Sequence, residues 1–248
     1  MLNYSDFRFL VRCLRYRYRT EWLPIKTLMG LNLSGATVLD IGANKGIYSF
    51  WMARAVGADG RVLAFEPQPE MRSYIELRKA DFGWQNVTIL ETALSNAAGM
   101  ALLARQRIGD GSASLQPDRY REGSETISVP VAKLDDVENL SNLKFIKCDV
   151  EGHEQKVFLG GEKTIRQHRP IVQFEAVAME APELFSFFLD LGYSGVMLLG
   201  GQYLHYANPD KVPHYKFGQG GHRDFLFFPP EAVGSTIPLS ISRQFPVD

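Results

Sequence analysis

The 248-residue chain holds only two cysteines, Cys13 and Cys148, and five histidines. Two distant cysteines set up no disulfide framework, so a reducing, cytoplasmic compartment is expected. With no H-x-x-x-H pair and no paired cysteines, the histidines argue against structural zinc. No apolar run approaches the length of a membrane span. The first residues are Arg-rich throughout and lack the apolar core of a secretory signal. There is no internal repeat and no low-complexity tract. The formal net charge of −1 gives no global attraction to nucleic acid or membrane. What remains is an ordinary globular composition, 45% hydrophobic and 22% charged, with enough chain for one α/β domain.

The most informative stretch is TVLDIGANKGIYSF, Thr37 to Phe50. Thr37–Ile41 is a β-branched apolar run that reads as a buried strand, and Ile47–Val56 reads as a helix. Between them Gly42 and Gly46 permit backbone conformations that other residues resist. Strand, glycine turn and helix open a ligand site beyond a strand's carboxyl end in α/β sheets. The dinucleotide pattern G-x-G-x-x-G fails here, because Asn44 and Ile47 stand where its second and third glycines belong. The pattern present is D-x-G-x-x-x-G, with Asp40 in the approach. A carboxylate there repels a pyrophosphate but suits an ammonium or a sulfonium. The next strand, Arg61–Phe65, ends in Glu66-Pro67, an acid placed to accept hydrogen bonds from ribose hydroxyls. Together these features favour S-adenosylmethionine over NAD.

Residues 3–22 read as one amphipathic helix. Phe7, Leu10, Val11, Leu14 and Tyr18 share a face expected to pack inward, and Arg8, Arg12, Arg15 and Arg19 form an adjacent cationic stripe. The stripe reads first as a solvated edge, and second as a lid or dock for an anionic substrate or membrane surface. Pro24 is expected to start a second helix. Further strands are expected at Asn86–Glu91, Gly99–Ala104, Thr126–Val131, Leu143–Asp149 and Ile171–Glu175, with Val196–Leu199 and Asp224–Phe228 last, antiparallel at the sheet edge. The loop Arg105–Glu125 is long enough to be a lid or substrate wall, with Ser112 and Ser114 available to a ligand. Gly200–Arg223 reads as loop. Strands alternating with helices predict a mainly parallel, doubly wound sheet, with Asp40, Glu66, Asp149 and Glu175 along its carboxyl rim.

A second cluster, Asp149-Val150-Glu151-Gly152-His153-Glu154, follows a buried strand. Methyl transfer to a hydroxyl needs in-line positioning and a base near the hydroxyl proton. Asp149, Glu151 and His153 are candidates, with Glu175 approaching from the neighbouring strand. The plainer alternatives are a turn cap for Asp149, first-turn acids for Glu151 and Glu154, and a surface histidine. The cluster also has ligand types for a divalent cation, although no metal site is expected.

The blocks LDIGANKGIYSFWMA, AFEPQPE, NVTILETALSN and IKCDVEGHEQKVFLGG, in this order and spacing, resemble the FkbM-type S-adenosylmethionine-dependent methyltransferases over residues 35–230. The resemblance implies a class I methyltransferase fold: a Rossmann-like, doubly wound, mainly parallel seven-stranded α/β sheet with an inserted hairpin or loop. An N-terminal helical extension (1–34) and a C-terminal tail (231–248) lie outside it. It implies O-methylation of a hydroxyl on a sugar, glycolipid or polyketide-type small molecule. By the resemblance Asp40, Gly42, Ala43, Asn44, Gly46 and Ser49 belong to the methionine side of the cofactor site. Glu66 and Pro67 belong to the ribose, Thr92 and Ala93 to the adenine, and Asp149 and Glu151 to the transferred methyl. Thr92-Ala93 departs from the Asp common in the wider class. The competing expectation is a non-catalytic module of the same fold that binds cofactor or glycan. A nucleic-acid substrate is disfavoured, because no basic stripe with interleaved aromatics lies outside the first helix.

Overall fold

The computed structural model describes residues 4–116, 122–177, 181–206 and 222–246. The strands in chain order are β1 (Thr37–Ile41), β2 (Arg61–Phe65), β3 (Val87–Leu90), β4 (Ala93–Leu94), β5 (Gly99–Arg105), β6 (Glu125–Ala132), β7 (Leu143–Cys148), β8 (Ile171–Val177), β9 (Ser194–Leu199), β10 (Gln202–His205) and β11 (His222–Phe228). The helices are α1 (Tyr4–Arg15), α2 (Trp22–Gly30), α3 (Ile47–Val56), α4 (Pro69–Phe82), α5 (Glu154–Leu159), α6 (Glu162–His168), α7 (Ala181–Asp190) and α8 (Leu239–Ser242). Eight strands form one sheet in the order β10-β9-β11-β8-β7-β1-β2-β3, while β4, β6 and β5 make a small second sheet. The small sheet is the expected inserted hairpin, joined by β4. The main sheet is parallel except at β11, which runs antiparallel to both β8 and β9, and at β10, antiparallel to β9. Asp224–Phe228 is therefore an interior strand. The edge is β10, an eighth strand inside the stretch read as loop; residues 207–221 of that stretch, and 117–121 of the earlier loop, lie outside the described residues.

Period-two alternation sends successive side chains to opposite faces, and both faces are covered. Val38, Val62, Phe145, Ile171 and Leu226 pack with α1–α4, while Leu39, Leu63, Ile146, Val172 and Phe227 pack with α5–α7. The C-terminal residues join the first layer: Ile237 is buried, and Phe245 meets Tyr203 edge-to-face and Phe228 at a tilt.

The first helix docks in a different phase from the one expected. Its buried residues are Asp6, Phe9 and Cys13, whereas Phe7, Val11, Leu14 and Tyr18 are exposed. Phe9 enters an aromatic cluster with Phe50, Phe82 and Trp84, and Asp6 meets Arg78 at 2.6 Å, both side chains almost fully buried. A paired acid plus one well-seated aromatic outweigh the longer but looser apolar stripe. Helix α1 ends at Arg15, and Tyr16–Thr20 forms a π-helical turn that shifts the helical phase beyond it. Arg19 is carried away from Arg8, Arg12 and Arg15 into another cavity, beside Asp224 and Gly201. Helix α2 starts at Trp22, two residues before the expected Pro24.

Asp6→Ala leaves Arg78 charged and buried beside an apolar neighbour, with Asp81 its one remaining ion-pair partner among the described residues. We expect a loss of about 3–5 kcal/mol in urea unfolding, or selective proteolysis of the first helix at native pH. Unchanged stability with an intact N-terminus would show that the pair does not hold α1.

Candidate active site

The glycine loop is shaped by one close approach. A Cβ on Gly42, whose φ is +80°, would stand 1.9 Å from the carbonyl oxygen of Asp149. Glycine is thus required where β1 and β7 release their chains side by side. The Gly42 and Ala43 N–H groups both donate to the Phe65 carbonyl at 3.0 Å, binding the loop to β2. Asn44 sits in the left-handed region (φ 47°), which asparagine tolerates. Its N–H donates to Glu66 Oε2 at 2.7 Å, and the Gln68 N–H donates to Glu66 Oε1 at 2.9 Å. Glu66 is buried, and burial pushes its carboxyl up to about 7 against those two hydrogen bonds.

Two adjoining cavities flank the loop. The first, a narrow cleft, is lined by Gly42, Asn44, Glu66, Pro67, Gln68, Thr92, Ala93, Asp149, Glu151 and His153, with apolar walls from Ile41, Phe65, Leu94 and Leu103. The second, about 760 Å³, is lined by Tyr16, Glu21, Gly42, Ala43, Asn44, Tyr48, Lys147, Asp149, Glu151 and Glu175. Residues after β5 wall off the first cavity. Lys45 Nζ donates to the Gly109 carbonyl at 2.8 Å, Ser114 Oγ to the Glu151 carbonyl at 2.8 Å and Gln116 Nε2 to the Gly152 carbonyl at 2.8 Å. Ser112 bonds Asp110, so both serines are engaged within the wall. Thr92 Oγ1 likewise donates to the Ala93 and Pro130 carbonyls.

Several residues expected in the site lie elsewhere. Alternation along β1 turns Asp40 toward α3, where Ser49 Oγ donates to it at 2.5 Å; Asp40 is fully buried and, like Gly46 and Ser49, lines neither cavity. The Ser49–Asp40 hydrogen bond joins α3 to β1, and the Gly46 N–H donates to the Ala43 carbonyl across the loop. His153 lines the first cavity, away from Glu175. Its Nε2 lies 2.8 Å from Ser95 Oγ, and burial depresses the imidazole to about 4, leaving it neutral. Glu154 is buried and accepts from the Val150 N–H at 2.8 Å and the Gly152 N–H at 3.3 Å, fixing the turn on which Glu151 adopts φ 56°.

The second cavity is organised by Lys147, which sequence reasoning left inside a strand. One sheet face carries a polar row across four strands: Asp40 pairs in register with Lys147, Lys147 with Gln173, and Glu175 with Asp224. Lys147 Nζ donates to Asp149 Oδ2 at 2.9 Å and sits 4.7 Å from the Tyr48 ring centroid. Tyr48 donates to Glu21 Oε2 at 2.5 Å and accepts from Gln173 Nε2 at 3.1 Å. Burial favours neutral lysine, but Asp149, Asp40 and Glu21 together hold the ammonium charged well above its ordinary range. Burial and the like charges of Asp149, Asp224 and Glu151 push the Glu175 carboxyl up to about 9 despite Lys147. Burial also raises Asp224 and Glu21. Glu21, the only acid between Asp6 and Asp40, was the available signal for a contribution from the N-terminal extension. Among the described residues no group of three or more His, Cys, Asp or Glu side chains is arranged to hold a metal ion. Nor is any helix among them long and apolar enough to cross a membrane.

The strand order, glycine loop and acid after β2 define a class I methyltransferase fold. Solved structures agree: a methyltransferase FkbM from Methylobacillus flagellatus KT superposes with a TM-score of 0.54 at 15% identity, covering 92% of this chain and 56% of that one. The chain therefore spans little more than half the length of that relative. A putative rRNA-methylase from Clostridium thermocellum gives a TM-score of 0.51 at 11% identity over 84% of this chain and 94% of that one. An rRNA methylase from Streptococcus thermophilus gives 0.50 at 10% identity over 85% and 97%. No curated protein sequence matches the chain. The Methyltransferase FkbM domain model matches residues 40–194, and the chain belongs to that family of S-adenosylmethionine-dependent methyltransferases.

Replacing Lys147 by Met leaves Glu21, Glu175 and Asp224 without their shared cation. We expect a loss of about 3–5 kcal/mol at pH 8. The loss shrinks toward pH 5, because carboxyls whose folded pKa is raised are most stabilising when protonated and lose that stability as pH rises. A loss independent of pH would mean that only packing was disturbed.

Proposed function

We propose that the protein is an S-adenosylmethionine-dependent O-methyltransferase acting on a hydroxyl of a sugar, glycolipid or polyketide-type small molecule. The observation that carries this reading is the acid-rich recess around Lys147, which adjoins a cleft bearing a buried carboxylate, Glu66. The cleft suits an adenosine. Glu66 keeps lone pairs beyond its two backbone hydrogen bonds, and Gln68 Oε1, in the same wall, is buried without a hydrogen-bond partner. Ribose hydroxyls can donate to the spare lone pairs of Glu66 and to Gln68 Oε1. The apolar walls and the Thr92-Ala93 edge suit a purine face, and Gly42, Ala43 and Asn44 would adjoin the methionine portion.

When bound, S-adenosylmethionine supplies a methyl group made electrophilic by its sulfonium. The protein's part is to place a hydroxyl and to take its proton. Glu175 suits proton removal, because its carboxyl, pushed up to about 9, is a stronger base when ionised than an ordinary carboxylate. Asp149, held by Lys147, would orient the hydroxyl, with Glu151 at the boundary between the cavities. The acidic recess complements a sulfonium, and its several titratable groups argue for catalysis over a pure binding module.

Calorimetric titration with S-adenosylmethionine, S-adenosylhomocysteine and NAD tests the cofactor: the first two bind saturably and NAD does not. Glu66→Gln weakens both by roughly tenfold or more, the size of a lost hydrogen bond to a charged group. In the native protein affinity falls as pH drops through about 7, where Glu66 takes up its proton. Binding of NAD alone, or indifference to both Glu66 and pH, would sink the assignment.

The role of Glu175 is read from proton release. Near pH 8 its carboxyl is largely protonated. Binding of the positively charged S-adenosylmethionine should release more protons than binding of uncharged-sulfur S-adenosylhomocysteine, measured calorimetrically in buffers of different ionisation enthalpy. Glu175→Gln should abolish the difference. Equal release for both ligands in the native protein would remove Glu175 from the recess chemistry.

A further inference from the structure

A third cavity, an open groove enclosing about 1310 Å³ of space with the solvent in its mouth counted, lies between α1 and the chain after β5. Tyr16, Asn44, Lys45, Ile47 and Gly111 line both this cavity and the recess that holds Glu175, so the two are contiguous. Five cations face it: Arg8, Arg12 and Arg15 from α1, Lys45 from the glycine loop and Arg107 from the wall. No acid is among the described residues that line it.

The convergence is unusual within this chain. Arg72, Arg78, Arg105, Arg166 and Arg169 each meet a carboxylate. Among the described residues none of the five cations at the cavity takes part in an ion pair. Their mutual repulsion is felt at Lys45, whose ammonium is lowered by burial and by Arg12 and Arg107, against the opposing pull of Asp110 and Glu66. Holding like charges together costs free energy in the empty protein, and an anion between them removes that cost. Tyr4, Phe7 and Val11, exposed on the same wall, offer apolar contact to whatever is attached to the anion.

We propose that the methyl acceptor carries a phosphate-type anion, seated between Arg8, Arg12, Arg15, Lys45 and Arg107, while its hydroxyl reaches the Asp149–Glu175 recess. This deepens the methyl-transfer reading and rests on it for the second half. Arginine forks match phosphate geometry in pairs, and five cations exceed what one carboxylate calls for. The cations line a groove that shares five residues with the recess and converges on it from α1, the glycine loop and the wall, which favours a small phosphorylated saccharide or a lipid-borne sugar phosphate over an RNA.

The probe is inorganic pyrophosphate, titrated into the full chain with and without S-adenosylhomocysteine. Binding should be saturable, weaken with salt, and fall by about tenfold or more in an Arg12→Gln, Arg107→Gln variant. Arg107 is exposed and Arg12 half-buried. The variant should keep its S-adenosylhomocysteine affinity and its unfolding midpoint. Co-sedimentation with phosphatidylcholine vesicles, with and without phosphatidylglycerol, separates the sources. Pyrophosphate binding without vesicle binding marks a free phosphorylated acceptor; vesicle binding lost in the same variant marks a lipid-borne one; both uphold the proposal. Absence of saturable pyrophosphate binding, or binding that the variant retains, overturns it. So does tight binding of a structured RNA in the absence of pyrophosphate binding. Failure of S-adenosylhomocysteine to bind the native protein would count against the methyl-transfer reading alone, because the pyrophosphate titration is read independently.

Discussion

The buried ammonium of Lys147 is the constraint on which the site depends. Strands β1, β7, β8 and β11 each place a polar side chain on the same sheet face, where packing alone would want apolar ones. Several buried carboxylates could not share that face unaided, since each costs several kcal/mol to desolvate. One lysine, contacted by Asp149 and surrounded by Asp40 and Glu21, makes the set tolerable. The compensation is incomplete, and the excess shows in Glu175, whose carboxyl is pushed up to about 9. The fold thereby stores a carboxyl poised to exchange a proton, facing a cavity.

The backbone supplies the complementary constraint. β1 and β7 come so close beyond their last residues that only a glycine fits at position 42. That approach opens the cleft on one side of the loop and the acidic recess on the other, with Gly42, Asn44, Asp149 and Glu151 lining both. On the proposed reading a ligand spanning the two has its adenosine fixed by Glu66 and its reactive end delivered to Lys147's acids. Positioning follows from a rigid strand–turn–helix junction, reinforced from behind by the Asp40–Ser49 hydrogen bond.

Much of this was legible in the chain. D-x-G-x-x-x-G, Glu66 and the run into Asp149 are local patterns, and their spacing reports the βαβ connectivity that brings them together. Lys147 was not legible, because its meaning lies in cross-strand register with Asp40 and Gln173, which no local window contains. Asp40 is set behind the cavity walls for a related reason: an acid near a strand's end looks like a rim residue until alternation turns it toward α3, on the face it shares with Lys147. In α1 two stripes competed, and the one with more apolar residues lost to Phe9 and the Asp6–Arg78 pair. Tertiary partners decided the phase. The π turn after Arg15 then broke the cationic stripe at Arg19, something a uniform helical period cannot foresee.

The displaced apolar stripe and the interrupted cationic one have a common consequence. With Phe9 inward, Arg8, Arg12 and Arg15 are brought to the mouth of the acidic recess, next to Lys45 and Arg107. A formal net charge near zero thus conceals a cluster of cations on one side of residues 44 and 45 and a recess of acids ready to release protons on the other. Clustered charges of one sign set a local potential even where the whole molecule is nearly neutral, and acids that can release a proton answer a cationic ligand. Such a potential orients a ligand before any specific contact forms, drawing a cationic group inward and an anionic group outward. The two ligands a methyl transfer requires would then be sorted by charge at the same loop that separates their cavities.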